Sequence, residues 1–213
     1  MTGPSPLPAY PGLVVESDET VWNGRFALQR IKFRQRRFDG DLSGLRTWEL
    51  WRRGRAAALL PYDPVADAVV LIEQFRLPAL AAGVEPVMVE VPAGLCDAGE
   101  DPSVTVVREA QEEVGLVPRR LHPIGDFLLS PGGADERVAL YLGEVDVPPA
   151  DAHGIVGTAG LASENEDILI RVWPAARAIE HALAGHFTNV VTSVALLWLA
   201  AKREKIRRDW GVA

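Results

Sequence analysis

Apolar residues fall in short blocks along this chain rather than in long stripes. Residues 56–60 and 68–74 are near-continuous apolar runs separated by Pro61, Tyr62, Asp63 and Pro64, which predicts two buried strands joined by a turn. Residues 87–91 form a third such run and lead into Pro92 and Ala93. Upstream, residues 20–33 and 45–52 carry β-branched and aromatic side chains in partial alternation, with the Asp39-Gly40 turn signal between them. That pattern predicts a small antiparallel sheet. Residues 1–18 are Pro-rich and are expected to be extended or loosely ordered. Downstream, residues 121–129, 137–145 and 167–172 read as strands; Pro174 opens a helix closed by Gly185, and Asn189 caps a last helix running to about Arg208. The apolar run 190–201 in that helix is too short for a membrane span and reads as core. No internal repeat is visible. Strands interleaved with a few helices predict an α/β protein, without singling out one architecture.

One stretch carries charge in an unusual way. Asp101 followed by Pro102 is a helix start, because an Asp side chain caps free N–H groups and Pro suits the first helical position. Gly115 is the matching stop. Between them Val104, Val107, Gln111 and Val114 are expected on one side, with Arg108, Glu109, Glu112 and Glu113 on the other. At roughly 100° per residue the three glutamates span an arc of about 100°. A solvated charged face is the plain alternative. It fits poorly, since like charges one turn apart cost roughly 0.2–0.5 kcal/mol per pair and only Arg108 offsets them. Crowded carboxylates with few cations suit a hard divalent metal, which prefers oxygen ligands.

Composition narrows the partners. The chain has 213 residues, of which 48% are hydrophobic and 24% charged, ordinary for a soluble globular protein and enough for one good-sized core or a core plus a small appendage. A formal net charge of -7 argues against nucleic acid, which needs a basic surface. The Arg-rich runs 34–37 and 202–208 read as solvated faces. Cys96 is the only cysteine, so no internal disulfide is possible and no thiolate metal site is suggested. The opening MTGPSPLPAYPG has neither a charged start nor an apolar core, so no signal peptide is expected there and cytoplasm is the default.

The run GLCDAGEDPSVTVVREAQEEVGL, residues 94–116, resembles the Nudix box: a Gly, five residues, Glu, seven residues, Arg-Glu, an aliphatic, any residue, Glu-Glu, any residue, Gly, an aliphatic. Gly94, Glu100, Arg108, Glu109, Glu112, Glu113 and Gly115 fill the fixed positions, with Ala110 and Leu116 at the aliphatic ones. At residue frequencies on the order of 5–10%, seven fixed positions arise by chance about once in 10⁸ starts or fewer. The resemblance implies an α/β/α sandwich on a mixed sheet, with the box forming a loop-helix-loop beside it. It also implies hydrolysis of a nucleoside diphosphate linked to another group, with Mg²⁺ (Mn²⁺ as a possible substitute) in two or three ions per site. Glu109, Glu113 and the Ala93 carbonyl would be metal ligands, Glu112 a ligand or near one, and Arg108 would orient the carboxylates. Glu100 would act through the metal shell or a structural contact with the loop, and Gly94 would serve the backbone turn.

Residues 145–168 show no periodicity over more than 20 positions, which is unusual inside a compact domain and typical of functional lids. The stretch ends in Ser163-Glu164-Asn165-Glu166-Asp167. Alone, that is a polar turn before a strand. Beside the box it resembles the catalytic loop of bacterial ADP-ribose diphosphatases, which implies Glu164 as the base that deprotonates water and Glu166 as a further metal ligand.

The same subfamily resemblance extends from about residue 20: NGRF, WRRGRAAALLPYDP, VVLIEQFR, VPAG, SPGG, GEVD and ENEDI all match its pattern, and Pro131 stands 15 positions beyond Leu116, a mark of the subfamily. It implies ADP-ribose as substrate, AMP and ribose 5-phosphate as products, and a homodimer whose N-terminal sheet helps build its partner's site. Arg25, Phe26, Trp48, Glu49, Arg53 and Arg76 match substrate-binding positions. Arg53 and Arg76 suit phosphate oxygens as bidentate donors; Trp48 suits either stacking on adenine or packing within a strand. Two regions are expected, 1–54 for dimerisation and substrate binding and 55–213 for hydrolysis. Another nucleoside diphosphate sugar such as GDP-mannose, or a sensor that binds ADP-ribose without cleaving it, are the alternatives.

Overall fold

The computed structural model describes residues 6–161 and 165–212. Eleven strands and four helices occur among them. They divide into two compact units, one holding the chain through Arg55 together with Leu128–Arg137, the other holding Ala56–Phe127 and the chain from Val138 onward.

The first unit is built on an antiparallel sheet of three strands in order: β1 (Leu13–Asn23), β2 (Ala27–Gln35) and β3 (Arg46–Arg52). The strand predicted over 20–33 is therefore two strands, turning at Gly24, Arg25 and Phe26. The first begins at Leu13, inside the stretch expected to be loosely ordered. β1 gave no alternation signal because almost all of it is exposed, so neither of its faces had to be apolar. β2 does alternate, burying Ala27, Gln29, Ile31 and Phe33. Buried Gln29 is satisfied on both ends, donating to Asp18 Oδ1 at 2.6 Å and accepting from Arg52 Nη1 at 3.2 Å.

The second unit is an eight-stranded sheet covered on both faces. Its main order is β10 (Ile155–Ala159), β11 (Ile168–Pro174), β5 (Ala68–Phe75), β4 (Arg55–Asp63), β9 (Arg137–Glu144) and β8 (Arg120–Leu128). β6 (Val87–Glu90) pairs with β5 and β7 (Ala93–Leu95) with β4. Successive strand residues point to opposite faces, and Val69, Val70, Leu71 and Ile72 of β5 are all buried, so both faces need cover. On one face Val70 and Ile72 pack with Val106, Ala110 and Val114 of helix α2 (Pro102–Val114). Helices α3 (Ala175–Leu183) and α4 (Val190–Asp209) pack on β11, β5 and β6, burying Ala178, Ala195, Leu196 and Leu199. The result is the α/β/α sandwich that the resemblance implied. A short helix α1 (Leu77–Ala81) after β5 had no sequence signal, being too brief to show a period. β10 likewise lies inside the stretch read as structureless; its Gly157 and a register shift break the alternation.

Asn189 caps α4 as expected, its side chain accepting from Thr192 N at 3.0 Å. The other end of α4 is anchored by Arg203 and Arg207, both paired with Asp67 in the turn between β4 and β5. No helix among the described residues is long and apolar enough to cross a membrane.

Candidate active site

The box begins on β7 and ends with α2. Asp101 caps the helix through Ser103 N at 2.8 Å, Pro102 occupies the first turn, and Gly115 closes it in the left-handed conformation at φ 67. The buried stripe differs from the expected one. It runs through Pro102, Thr105, Val106, Ala110, Glu113 and Val114, while Val104 is exposed. Glu113 thus reaches the core-facing side with Val106 and Ala110 while remaining one turn from Glu109, whose charge acts on it.

Glu113 is only 4% exposed, and its Oε2 accepts from Ala93 N at 3.0 Å. Burial pushes its carboxyl up to about 8; the Ala93 N–H opposes this, the nearby Glu109 and Glu166 carboxylates reinforce it, and Arg76 opposes it again. Glu109 is also raised, chiefly by burial, with Arg108 opposing and Glu112 and Glu166 reinforcing. Glu109, Glu113 and Glu166 are therefore close enough for their charges to act within one neighbourhood.

Gly94 is what lets Glu109 approach the loop. A Cβ built there would overlap the Glu109 carboxylate, lying 2.6 Å even from its farther oxygen, Oε2. Arg108 ties the remaining groups together, its Nη1 donating to Glu109 Oε1 at 2.7 Å and Glu112 Oε2 at 3.1 Å, and its Nη2 to the Leu95 carbonyl at 3.2 Å. Desolvation lowers its basicity, but Glu109, Glu112 and Glu100 outweigh that and hold it above the usual arginine range. Glu100 sits in the loop as a bracket: its Oε2 accepts from Asp97 N at 3.0 Å and Thr105 Oγ1 at 2.8 Å, with Arg108 Nη2 at 3.6 Å. These bonds, the Asp97 N–H first, lower its pKa.

Glu164 lies outside the described residues. Glu166 is described: its Oε2 accepts from Leu161 N at 3.1 Å and its own N–H donates back to the Leu161 carbonyl at 3.3 Å. The neck of that loop needs Gly160, whose φ is +112 and where a Cβ would meet Glu166 Cβ at 2.7 Å. Asn165 adopts the left-handed conformation at φ 53.

A hard cation fits this donor set. The charge of Glu166 raises the pKa values of both Glu109 and Glu113, and Glu109 raises that of Glu113, a penalty that a divalent ion would relieve. Among the described residues no three acidic, His or Cys side chains are already gathered into a ligating cluster; Glu109 instead turns to Arg108 and Glu113 to Ala93 N.

Of the other sequence-derived positions, Arg76 belongs to this unit, and its charge acts on Glu113. Its guanidinium is held by buried Glu90, Nε at 2.8 Å and Nη2 at 2.7 Å from Oε2. Arg25, Phe26, Trp48, Glu49 and Arg53 belong to the first unit. There Arg53 lies over the Phe26 ring at 4.1 Å and the Trp51 ring at 4.8 Å, and pairs with Glu136 at 3.0 Å. Arg25 stands over the same Phe26 at 5.7 Å. Trp48 is separate from that group, edge-on to Phe33 at 5.5 Å with Arg46 over its ring at 5.0 Å. Glu49 is exposed, opposite Arg30 on β2. The SPGG segment forms a turn, Gly133 N donating to Ser130 O at 3.1 Å. Glu90 and Thr105 were not singled out from sequence. The signal available for Glu90 was an acid at the end of an otherwise apolar strand.

A loop-helix-loop of acids and one arginine beside a sandwich sheet defines a metal-dependent phosphoanhydride hydrolase class of site. The NUDIX domain family model matches residues 52–179, and the chain belongs to the Nudix family. It is 40% identical over 192 residues to the ADP-ribose pyrophosphatase of Escherichia coli K12, covering 90% of each chain. It is 36% identical to the ADP-ribose pyrophosphatase of Haemophilus influenzae, covering 91% of this chain and 88% of that one. The GDP-mannose pyrophosphatase of Escherichia coli O1:K1 is 30% identical, covering 88% and 94%. A solved structure described as an ADP compounds hydrolase superposes with a TM-score of 0.67 over 97% of this chain and 100% of that one, at 21% identity, and so attests the fold.

Proposed function

We propose that this protein hydrolyses ADP-ribose to AMP and ribose 5-phosphate, with Mg²⁺ as the working cation and Mn²⁺ as a substitute. The observation that carries the reading is the burial of Glu113 beside Glu109, both raised in pKa with Glu166 contributing to each, in a chain 40% identical over 90% of its length to ADP-ribose pyrophosphatases.

Glu109, Glu113, Glu166 and the Ala93 carbonyl would hold the cations. When bound, they neutralise diphosphate oxygens and acidify an attacking water. Arg108 keeps Glu109 and Glu112 at fixed distances. Glu100, fixed by Asp97 N and Thr105, holds the loop that carries Gly94. Arg76 supplies the positive charge that faces a substrate phosphate. Glu164 takes the proton of the attacking water. Arg25, Phe26, Trp48, Glu49 and Arg53 on the first unit bind the substrate. The protein acts as a homodimer in the cytoplasm, with residues 1–54 serving dimerisation and substrate binding. Supporting the dimer is the exposure of Val14, Val15 and Trp22 on β1, apolar surface of the kind that a second copy covers.

The test is incubation with a panel of nucleoside diphosphate sugars and Mg²⁺, products resolved by chromatography. AMP released fastest from ADP-ribose is expected. GDP-mannose as the better substrate would move the chain to the second reading, which the 30% identity to GDP-mannose pyrophosphatases favours. Tight ADP-ribose binding without AMP release would make it a sensor.

A further inference from the structure

We propose that Glu90 is a positioning residue for Arg76, and that the N-terminus of α4, through Asn189, fixes the orientation of Glu90. This rests on the assignment of Arg76 to the substrate diphosphate made above.

The network is short and its hydrogen-bond directions are determined. Glu90, at the end of β6, is 6% exposed, while the Arg76 side chain is 41% exposed. One carboxylate oxygen of Glu90, Oε2, accepts from Nε of Arg76 at 2.8 Å and lies in ion-pair contact with its Nη2 at 2.7 Å. The other, Oε1, accepts from Asn189 Nδ2 at 2.6 Å. The Asn189 amide cannot turn over, because its Oδ1 is committed to Thr192 N at 3.0 Å as the cap of α4. The Thr192 hydroxyl in turn accepts from Val91 N at 3.0 Å, the residue after Glu90. The end of β6 and the start of α4 are therefore closed into one ring through Glu90, Asn189, Thr192 and Val91, and Arg76 is attached to it at Glu90. A buried carboxylate is costly unless its oxygens are satisfied, and here each oxygen has a donor, Arg76 Nε on one and Asn189 Nδ2 on the other.

The geometry serves Arg76 more than it serves the core. The hydrogen bond and the ion-pair contact from Arg76 go to a single oxygen on one edge of the guanidinium, and among the described residues Arg76 makes no other side-chain bond. Its Nη1 is left to donate elsewhere. Its backbone is fixed as well, N–H to the Pro86 carbonyl at 2.8 Å, at the junction of β5 and α1. A half-exposed arginine held at one edge, whose charge reaches Glu113, is preorganised to receive an anion beside the box.

The direction of the bonds supplies a test. Glutamine at position 90 has one acceptor and one donor group, yet faces donors on both sides, so Glu90→Gln must lose either Arg76 or Asn189. Asn189→Asp converts the opposing donor into an acceptor while remaining a good helix cap. The double variant Glu90→Gln/Asn189→Asp therefore restores every hydrogen bond. With Mg²⁺ saturating, KM and kcat for ADP-ribose are measured for the wild type, Arg76→Ala, Glu90→Gln and the double variant, with circular dichroism and thermal melts as controls. Arg76→Ala is expected to raise KM about tenfold or more, Glu90→Gln to approach that value with kcat changed less, and the double variant to return within about threefold of wild type. Arg76→Ala with raised KM beside Glu90→Gln at wild-type KM overturns the positioning role and leaves the reading of Arg76 standing. Arg76→Ala at wild-type KM overturns that reading and the proposal together. If Glu90→Gln does not fold, the double variant decides: folded with wild-type KM supports the proposal, and folded with the KM of Arg76→Ala overturns it. A wild type inactive on ADP-ribose but active on GDP-mannose fails the substrate reading alone, and the same comparison is then made with GDP-mannose.

Discussion

The Glu109 carboxylate lies where a side chain at Gly94 would have to be. No positive φ is involved, so the glycine is demanded by the carboxylate's approach and not by the backbone. The two fixed positions of the box, 15 residues apart in sequence, are one steric unit in space.

Gly94→Ala therefore displaces Glu109. Because the overlapping atoms are the far end of a flexible side chain, the fold should survive while Glu109 swings away. We expect kcat/KM to fall about 10²-fold and the Mg²⁺ concentration for half-maximal activity to rise, with little change in Tm. A melt and a Mg²⁺ titration of the rate check this; wild-type activation by Mg²⁺ would contradict it.

Glu113 ties metal binding to stability. Its pKa is raised from 4.5 to about 8 by burial first, so between those values the native state binds more protons than the unfolded state. In EDTA, stability should be full below about pH 4.5 and decline as pH rises toward about 8, by an amount on the order of a few kcal/mol. Glu113→Gln should flatten that slope. Melts across pH in EDTA measure it, and a slope unchanged by the substitution would reject the role of Glu113.

Glu113→Gln should also abolish metal-dependent turnover with the fold retained, because an amide cannot supply the charge that a divalent ion needs. Near-normal rates at saturating Mg²⁺ would refute its assignment as a ligand.

Glu164→Gln should lower kcat by about 10²-fold or more, the contribution typical of general-base catalysis, with metal affinity largely intact. A Mn²⁺ binding titration beside the rate separates the two effects. An unchanged rate would move the base elsewhere, Glu112 being the next candidate.

Arg108→Ala should leave Glu109 and Glu112 without their shared cation. Arg108→Lys should rescue only part of the activity, since a single ammonium cannot reach Glu109, Glu112 and the Leu95 carbonyl together. Equal rates for the lysine variant and the wild type would show that charge alone suffices.

What the chain alone determined was local. The cap at Asp101, the stop at Gly115, the buried runs of β4 and β5 and the spacing of the box acids all depend on neighbours a few residues apart, so they are legible in order along the polypeptide. β1, β10 and α1 were not, because an exposed strand, a glycine-interrupted strand and a five-residue helix carry no period. Only the tertiary structure decided which side of α2 turns inward, burying Glu113 beside Val106 and Ala110. The same holds for Glu90, Arg76 and Asn189, brought together from three elements. A side chain's burial, and with it its charge state, is set by what packs against it from distant parts of the chain, and one-dimensional spacing does not contain that information.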